Sequence, residues 1–190
     1  MNSFLEFEKP LADIEGKLKE LKHLAEDGDV DVSSEIAKLE TRSDLLLRET
    51  YEDLGAWQKT QVARHADRPH YLDYVEGLIE DFTTLAGDRG FGEDKAILGG
   101  LGRFRGRSVM VIGQEKGSNT TDRIKHNFGM AQPEGYRKAV RLMKLAEKNN
   151  IPVITFVDTA GAHPGIEAEE RGQAEAIARS IDTGLSLKVP

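Results

Sequence analysis

The stretch PEGYRKAVRLMKLAEKNN, Pro133 to Asn150, runs without a linker into the apolar run IPVITFVD, Ile151 to Asp158. Pro133 suits a first helical position, Ala139, Leu142, Met143 and Ala146 fall on one face, and Asn149-Asn150 supplies the stop. A continuous apolar run behind such a helix suits a strand buried on both faces, so this junction predicts an α/β chain. Upstream, AILGGLGRF and RSVMVIGQEKG are short β-rich segments on either side of Arg105-Gly106, which predicts an antiparallel hairpin. Downstream, AEERGQAEAIARSI, Ala168 to Ile181, reads as one further helix. The expected order from Ala96 is strand, strand, helix, strand, helix. LSLKVP then stands where another buried strand is expected, which leaves an open sheet edge and points to a fragment or to a chain completed by a partner.

The N-terminal part has a different period. Leu11, Ile14, Leu18 and Leu21 alternate steps of three and four, the stripe of a helix that packs on another helix. DGDVDVSS, Asp27 to Ser34, offers a turn and an N-cap serine, after which Ile36, Leu39 and Leu45 to Leu47 restart the helical spacing toward Tyr51. Residues 1–50 are therefore expected to form a helical hairpin that acts as an assembly arm, and residues 51–190 the main domain. LGAWQKTQVARH, Leu54 to His65, reads as a helix ended by Asp67 to Pro69. Tyr71 to Gly87, with Leu72, Val75, Leu78, Ile79 and Phe82 apolar, reads as one more.

Composition excludes several function classes. A net charge of −7 argues against wrapping nucleic acid or coating an anionic membrane. With no cysteine, thiolate catalysis and thiolate metal sites are unavailable. MNSFLEFEKP lacks the basic start and apolar run of a signal peptide, and no run approaches the ~18 apolar residues of a membrane span, so a cytoplasmic protein is expected. His23, His65, His70, His126 and His163 show no i, i+4 pair, and no metal site is expected.

The stretch FVDTAGAHPG, Phe156 to Gly165, carries the most chemistry. Asp158 to Gly161 reads DTAG, a tetrapeptide that also sits beside the γ-phosphate in small GTPases. That reading needs a G-x-x-x-x-G-K-[ST] loop upstream, and GQEKGSNT from Gly113 does not fit it. A strand end followed by small residues can instead present backbone N–H groups to a developing oxyanion, and Gly161 and Ala162 have the right size. His163 reads either as a general base or as a structural histidine. Glu167, Glu169 and Glu170 fit the first turn of a helix. Lys116, Arg123, Lys125, Arg137 and Lys138 stand out against the acidic background, and either meet the phosphates of a nucleotide-like tail or pair with the acidic surplus. Gly129 and Gly135, in NFGMAQPEGYRKA, suggest turn geometry or close backbone approach.

Together, VIGQEKGSNTTDRIKHNFGMAQPEGYRKAVRLMKLAEK and IPVITFVDTAGAHPGIEAEERGQAEAIA resemble the α subunit of the bacterial acetyl-coenzyme A carboxylase carboxyltransferase. FLEFEKPLADIEGKLKEL, LGAWQKTQVARHADRP and LDYVEGLIEDFTTLAGDRGFGEDKAILGGLGRF extend the match over nearly the whole chain. The resemblance implies a crotonase-like (ClpP/crotonase) fold of ββα units in a superhelix, incomplete here, with the helical hairpin in front. It implies transfer of a carboxyl group from carboxybiotin on a carrier protein to acetyl-coenzyme A, giving malonyl-coenzyme A for fatty-acid synthesis. No cofactor is expected to be covalently bound. The implied partners are a zinc-ribbon β subunit, a biotin carboxyl carrier protein and a biotin carboxylase, in an α2β2 assembly. Gly161 and Ala162 would be the catalytic backbone donors, and Lys116, Arg123, Arg137, His163 and Gly165 would bind substrate. No lysine or histidine base is carried over, because biotin takes the proton in the mechanism argued for that family. Ala160 stands where the family pattern carries proline. The family also continues past LKVP into a glycine-rich turn with further oxyanion donors, so this chain alone is expected to be inactive. A non-catalytic assembly or regulatory module, and a crotonase-type hydratase or isomerase, are the competing readings.

Overall fold

The computed structural model describes residues 4–26 and 32–190. Two compact units are present, Met1–Arg68 and Pro69–Pro190. The first division expected from the sequence, after residue 50, falls instead within a helix.

In the first unit a single 3-10 turn, Glu6–Glu8, leads into α1, Lys9–Glu26, which packs against α2, Ser33–Glu52, and is followed by α3, Ala56–Ala63. Leu11, Ile14 and Leu18 of α1 are buried, as their spacing predicts, whereas α2 buries no residue fully. Tyr51 donates its hydroxyl hydrogen bond to the Glu8 carboxylate, and its ring meets Phe7 edge-on, with centroids 6.0 Å apart. The expected turn between the helices, residues 27–31, lies outside the described residues. The expected serine does not stand at the N-cap: Val32 occupies that position, and its side chain makes no capping hydrogen bond. Trp57 of α3 is 70% exposed.

The second unit is built on a four-stranded sheet of order β1-β2-β3-β4. Tyr71–Leu78 is α4 and Glu80–Thr84 is β1. Tyr71 to Gly87 is thus not one helix but a helix followed by a strand. Phe82 continues the helical stripe of Leu72, Val75 and Ile79, but β2, Ile97–Phe104, captures this segment, with Thr83 opposite Leu101 and Thr84 opposite Gly100. Gly100 makes the approach possible, since a Cβ there would collide with the Thr83 carbonyl oxygen and lie 2.9 Å from the Phe82 ring. β2 and β3, Arg107–Gln114, form the expected hairpin, and Arg105 and Gly106 turn it with φ of 49° and 76°.

A crossover carries α5, Thr120–Lys125, a short 3-10 turn over Asn127–Gly129, and α6, Pro133–Lys148, before β4, Val153–Phe156, joins β3 in parallel. Pro133 and Asn149 bound α6 as expected, and Ala139, Leu142, Met143 and Ala146 are buried. α5 escapes periodicity because it is only six residues long; its signal is Asn119, whose Oδ1 accepts from Asp122 N at 3.0 Å. Met110 and Ile112 of β3 face the α6 side of the core, Val109 and Val111 the α4 side with Tyr71, Val75 and Ile79.

β3, then, is the strand buried on both faces, and β4 is not. Its residues are half-buried or exposed, and Val157 just beyond it is 81% exposed. The physical reason is its place at the sheet edge: β3 covers one side, and Pro190 O accepts the Val153 N–H at 2.8 Å on the other. The expected Ala168 to Ile181 helix is two helices, α7, Ile166–Glu170, and α8, Gln173–Ser186. Gly172, at φ 81° and ψ 49°, breaks the run in the left-handed region, and α8 packs on α6.

Candidate functional site

Parallel pairing sets the carboxyl ends of β3 and β4 side by side, so the loops leaving Gln114 and Phe156 emerge at one end of the sheet. That end is where an open α/β sheet offers a crevice to ligands. A cavity of about 260 Å³ opens there, lined by Gln114, Phe156 and Val157 from the strand ends and by Tyr136, Met143 and Ile181 from α6 and α8. Its wall is mainly apolar.

The loop after β4 is sewn to the crossover by side chains. Asp158 N–H donates to Gln114 Oε1 at 3.1 Å, and the Asp158 carboxylate pairs with Lys116 at 2.8 Å. Thr159 Oγ1 lies 2.7 Å from Gly129 O and accepts the Gly161 N–H at 3.1 Å. His163 N–H donates to Ala131 O at 2.9 Å. Gln173 Nε2, at the start of α8, donates to Ala131 O at 2.9 Å and to His163 O at 3.1 Å. On the crossover side, Asn127, Phe128 and Gly129 have φ of 47°, 54° and 73°, three left-handed residues in succession. Two of them carry side chains, a strain of the kind that clusters where a site over-determines its backbone. Gly129 is also the close-approach position its sequence suggested, since a Cβ there would lie 2.7 Å from Lys116 Cγ.

Each site residue expected from the sequence now has a place. Gly161, at φ 154°, has its N–H taken by Thr159, whereas the Ala162 N–H has no acceptor among the described residues. His163 is half-buried, and Asn127 Nδ2 lies 3.0 Å from its Nδ1. Gly165 is the N-cap of α7, and its carbonyl accepts from Ala168 N at 3.0 Å. Glu167 and Glu169 fall in the first turn of that helix, as expected. These residues share one loop, and Lys116 reaches its first residue.

Two basic residues do not converge on it. Arg123 Nε donates to Gly117 O at 3.3 Å, back onto its own loop. Arg137 donates from all three nitrogens to the protein, to Asp88 Oδ2 at 2.8 Å, to Arg171 O at 3.0 Å and to Glu134 Oε1 at 3.0 Å. Glu134, which is buried, also accepts from Arg171 Nε at 2.7 Å. Lys138 is buried too, with Nζ on Asp94 O at 2.6 Å and on the Glu93 carboxylate. For Arg137 and Lys138 the acidic surplus thus supplies the partners. Asp88 sits in a nest: burial alone would raise its carboxyl, but Arg137 and the N–H groups of Gly90, Gly92 and Phe91 outweigh that and hold its pKa at about 2. Asp94 shifts the other way, raised by burial despite accepting from Gln132, Ile97 and Ala96 N–H groups.

Asn127 was missed by sequence reasoning. Its only signal was an asparagine ahead of Phe-Gly, a residue that tolerates the left-handed region. Among the described residues no group of side chains is placed to hold a metal ion, and no helix is long and apolar enough to cross a membrane.

Residues 4–190 match the family described as acetyl co-enzyme A carboxylase carboxyltransferase-like. The chain belongs to this family. The acetyl-coenzyme A carboxylase carboxyl transferase subunit alpha of Paramagnetospirillum magneticum is 66% identical over 98% of this chain and 59% of its own length. That of Parvibaculum lavamentivorans is 66% identical over 100% of this chain and 60% of its own. The chain thus spans about 60% of the length of these curated relatives. Among solved structures, the transcarboxylase 12S core aligns with a TM-score of 0.54 at 20% identity, over 68% of this chain and 24% of that one. A single-chain, multi-domain long-chain acyl-CoA carboxylase aligns with a TM-score of 0.53 at 24% identity, over 68% of this chain and 13% of that one. These two likenesses speak to fold, and the fold of this carboxyltransferase-family chain is the crotonase-like α/β arrangement expected from its sequence.

Proposed function

We propose that the chain forms the α side of a carboxyltransferase that moves a carboxyl group from carboxybiotin, presented on a biotin carboxyl carrier protein, to acetyl-coenzyme A, giving malonyl-coenzyme A. The observation that carries this reading is the loop from Asp158 to Gly165. Side chains of Gln114 in β3, of Gln173 in α8 and of the loop's own Thr159 hold its backbone, and the Ala162 N–H is left without a protein acceptor at the carboxyl end of a parallel strand pair. Family membership points the same way.

A neutral, compact ureido ring suits backbone donors of this kind, and the apolar cavity at the strand ends, lined by Gln114, Phe156 and Val157, suits an uncharged group. When bound, biotin supplies the carboxyl group and, once that has left, the acceptor for the acetyl proton. The chain's own part is electrostatic. A fixed N–H at Ala162 stabilises negative charge as it develops on an oxygen, with no reorganisation at the moment of reaction. Gly161 holds the turn open, and Thr159 holds Gly161. Lys116, His163 and Gly165 line the substrate side, while Arg123 holds its own loop through Gly117 O and Arg137 acts by fixing α6 to Asp88 and Arg171.

With the Gly161 N–H already taken, the Ala162 N–H stands with those of Thr159, Ala160 and Gly165 as the backbone donors of the loop that have no acceptor among the described residues. In this reading a partner subunit completes the site, and the chain alone is inactive. Its partners are the zinc-ribbon β subunit and the biotin carboxyl carrier protein, with biotin carboxylase recharging the carrier, and the helical hairpin serves assembly into α2β2. The test is to co-produce the full-length subunit with its β subunit, weigh the complex, and follow labelled carboxyl from the carrier into malonyl-coenzyme A. Transfer by the complex and none by the chain alone is expected. A complex that forms and binds acetyl-coenzyme A yet transfers nothing would sink the proposal.

A further inference from the structure

We propose that Asn127 holds His163 as its Nε2–H tautomer, so that the imidazole presents a hydrogen-bond donor, not a proton acceptor, to an oxygen of the bound substrate. The substrate half of this statement rests on the carboxyltransferase reading above; the tautomer does not.

Asn127 Nδ2 lies 2.7 Å from Met130 O and 3.0 Å from His163 Nδ1. A carbonyl oxygen can only accept, so the amide atom facing Met130 is the nitrogen; the flipped amide would set two acceptors against each other. That nitrogen has two hydrogens. One goes to Met130 O, and the other points at His163 Nδ1, which must therefore carry a lone pair. A singly protonated imidazole then has its hydrogen on Nε2.

Neither partner has freedom to escape this arrangement. Asn127 is fixed at φ 47°, with its carbonyl accepting from Met130 N at 2.9 Å. The backbone of His163 is held by Ala131 O and by Gln173. On the other side of the ring, Nε2 has no hydrogen-bond partner among the described residues. A Cβ on Gly165 would lie 2.5 Å from Nε2, so glycine at that position leaves the nitrogen clear. Glu167 Oε2 flanks the same spot, 2.7 Å from that Cβ position, yet makes no hydrogen bond to the ring. The Ala162 N–H and the His163 Nε2–H thus belong to adjacent residues of one loop, a backbone donor followed by a side-chain donor. A group arranged this way stabilises charge on an oxygen and cannot remove a proton through Nε2.

The tautomer is read directly by long-range proton–nitrogen correlation on the histidine-labelled chain, without substrate. The wild-type spectrum should show Nε2 protonated at His163. Asn127→Asp replaces a donor by an acceptor and should move the proton to Nδ1. Asn127→Gly, which keeps the left-handed backbone without strain, should release the ring to a mixture of tautomers. Protonated Nδ1 in the wild type overturns the proposal, and so does a folded Asn127→Asp or Asn127→Gly protein whose His163 spectrum is unchanged. In the assembled enzyme, His163→Gln keeps an N–H donor and should stay within about tenfold of wild-type kcat, whereas His163→Phe should fall by ~10²-fold or more. Equal losses in the two variants overturn the donor role. A wild-type complex that transfers no carboxyl, with the Nε2–H tautomer intact, counts against the functional reading alone.

Discussion

Thr159 Oγ1 lies 2.7 Å from the carbonyl oxygen of Gly129, and this hydroxyl ties the loop after β4 to the left-handed turn of the crossover. It also accepts the Gly161 N–H. Thr159→Val keeps the shape and removes both bonds. It should lower stability by about 1–2 kcal/mol in urea denaturation followed by circular dichroism, and the Gly161 amide should exchange faster. Thr159→Ser should restore most of both.

Gly165 marks a place where added volume acts on chemistry more than on folding. Its φ of −113° suits any residue, so Gly165→Ala carries no backbone strain, but the new methyl would press on His163 Nε2 and Glu167 Oε2. The expected outcome is a protein destabilised by less than about 1 kcal/mol, with a shifted His163 resonance and reduced turnover in the assembled enzyme. An unmoved His163 resonance would mean that the ring already sits elsewhere.

Gly100 is the opposite case. A Cβ there meets the Thr83 carbonyl and the Phe82 ring, and the backbone of β1 cannot yield without leaving the sheet. Gly100→Ala should destabilise the second unit by about 1–3 kcal/mol and remove hydrogen-exchange protection from residues 82–85, while β3 stays protected.

Acid stability should carry the signature of Asp88. Its folded pKa is about 2, against about 3.9 for an unperturbed aspartate, so the unfolded chain binds its proton first as pH falls. The stabilisation is therefore complete above about pH 4 and is lost as pH drops through about 2, amounting to roughly 2 kcal/mol. Asp88→Asn should be less stable than wild type at pH 7 by that order and should lose less between pH 4 and 2. Asp94, raised by burial, works in the opposite sense, so the wild-type acid limb is shallower than Asp88 alone would make it.

Ala162→Pro deletes the Ala162 N–H, which has no acceptor among the described residues. In the assembled enzyme it should slow carboxyl transfer by ~10²–10³-fold, while Ala162→Ser, which keeps the N–H, should slow it by no more than about tenfold. Equal rates in the two variants would show that no oxyanion sits at that amide.

How much of this was legible in the sequence depends on how local the cause was. α6 was readable to its ends because Pro133, the apolar face and Asn149 all lie within it. The β2–β3 hairpin was readable from Arg105-Gly106. β1 was not, because Phe82 obeys a helical period and only Gly100, across the sheet, makes it a strand. Arg137 looked like a phosphate ligand because its neutralising partner, Asp88, is remote in sequence. The loop from Asp158 to Gly165 was recognisable as a turn of small residues leaving a strand, yet the fate of each N–H was not, since Thr159 and Gly161 could have been oriented otherwise. Asn127 was invisible as a partner of His163 for the same reason.

The position of Trp57 has a practical consequence for all of these measurements. It is the chain's single tryptophan, and in the folded protein its indole already faces water. Intrinsic emission will therefore be red-shifted and readily quenched before any denaturant is added. An unfolding curve recorded by that fluorescence would report a small change in α3 and would pass over the loss of the sheet almost without a signal.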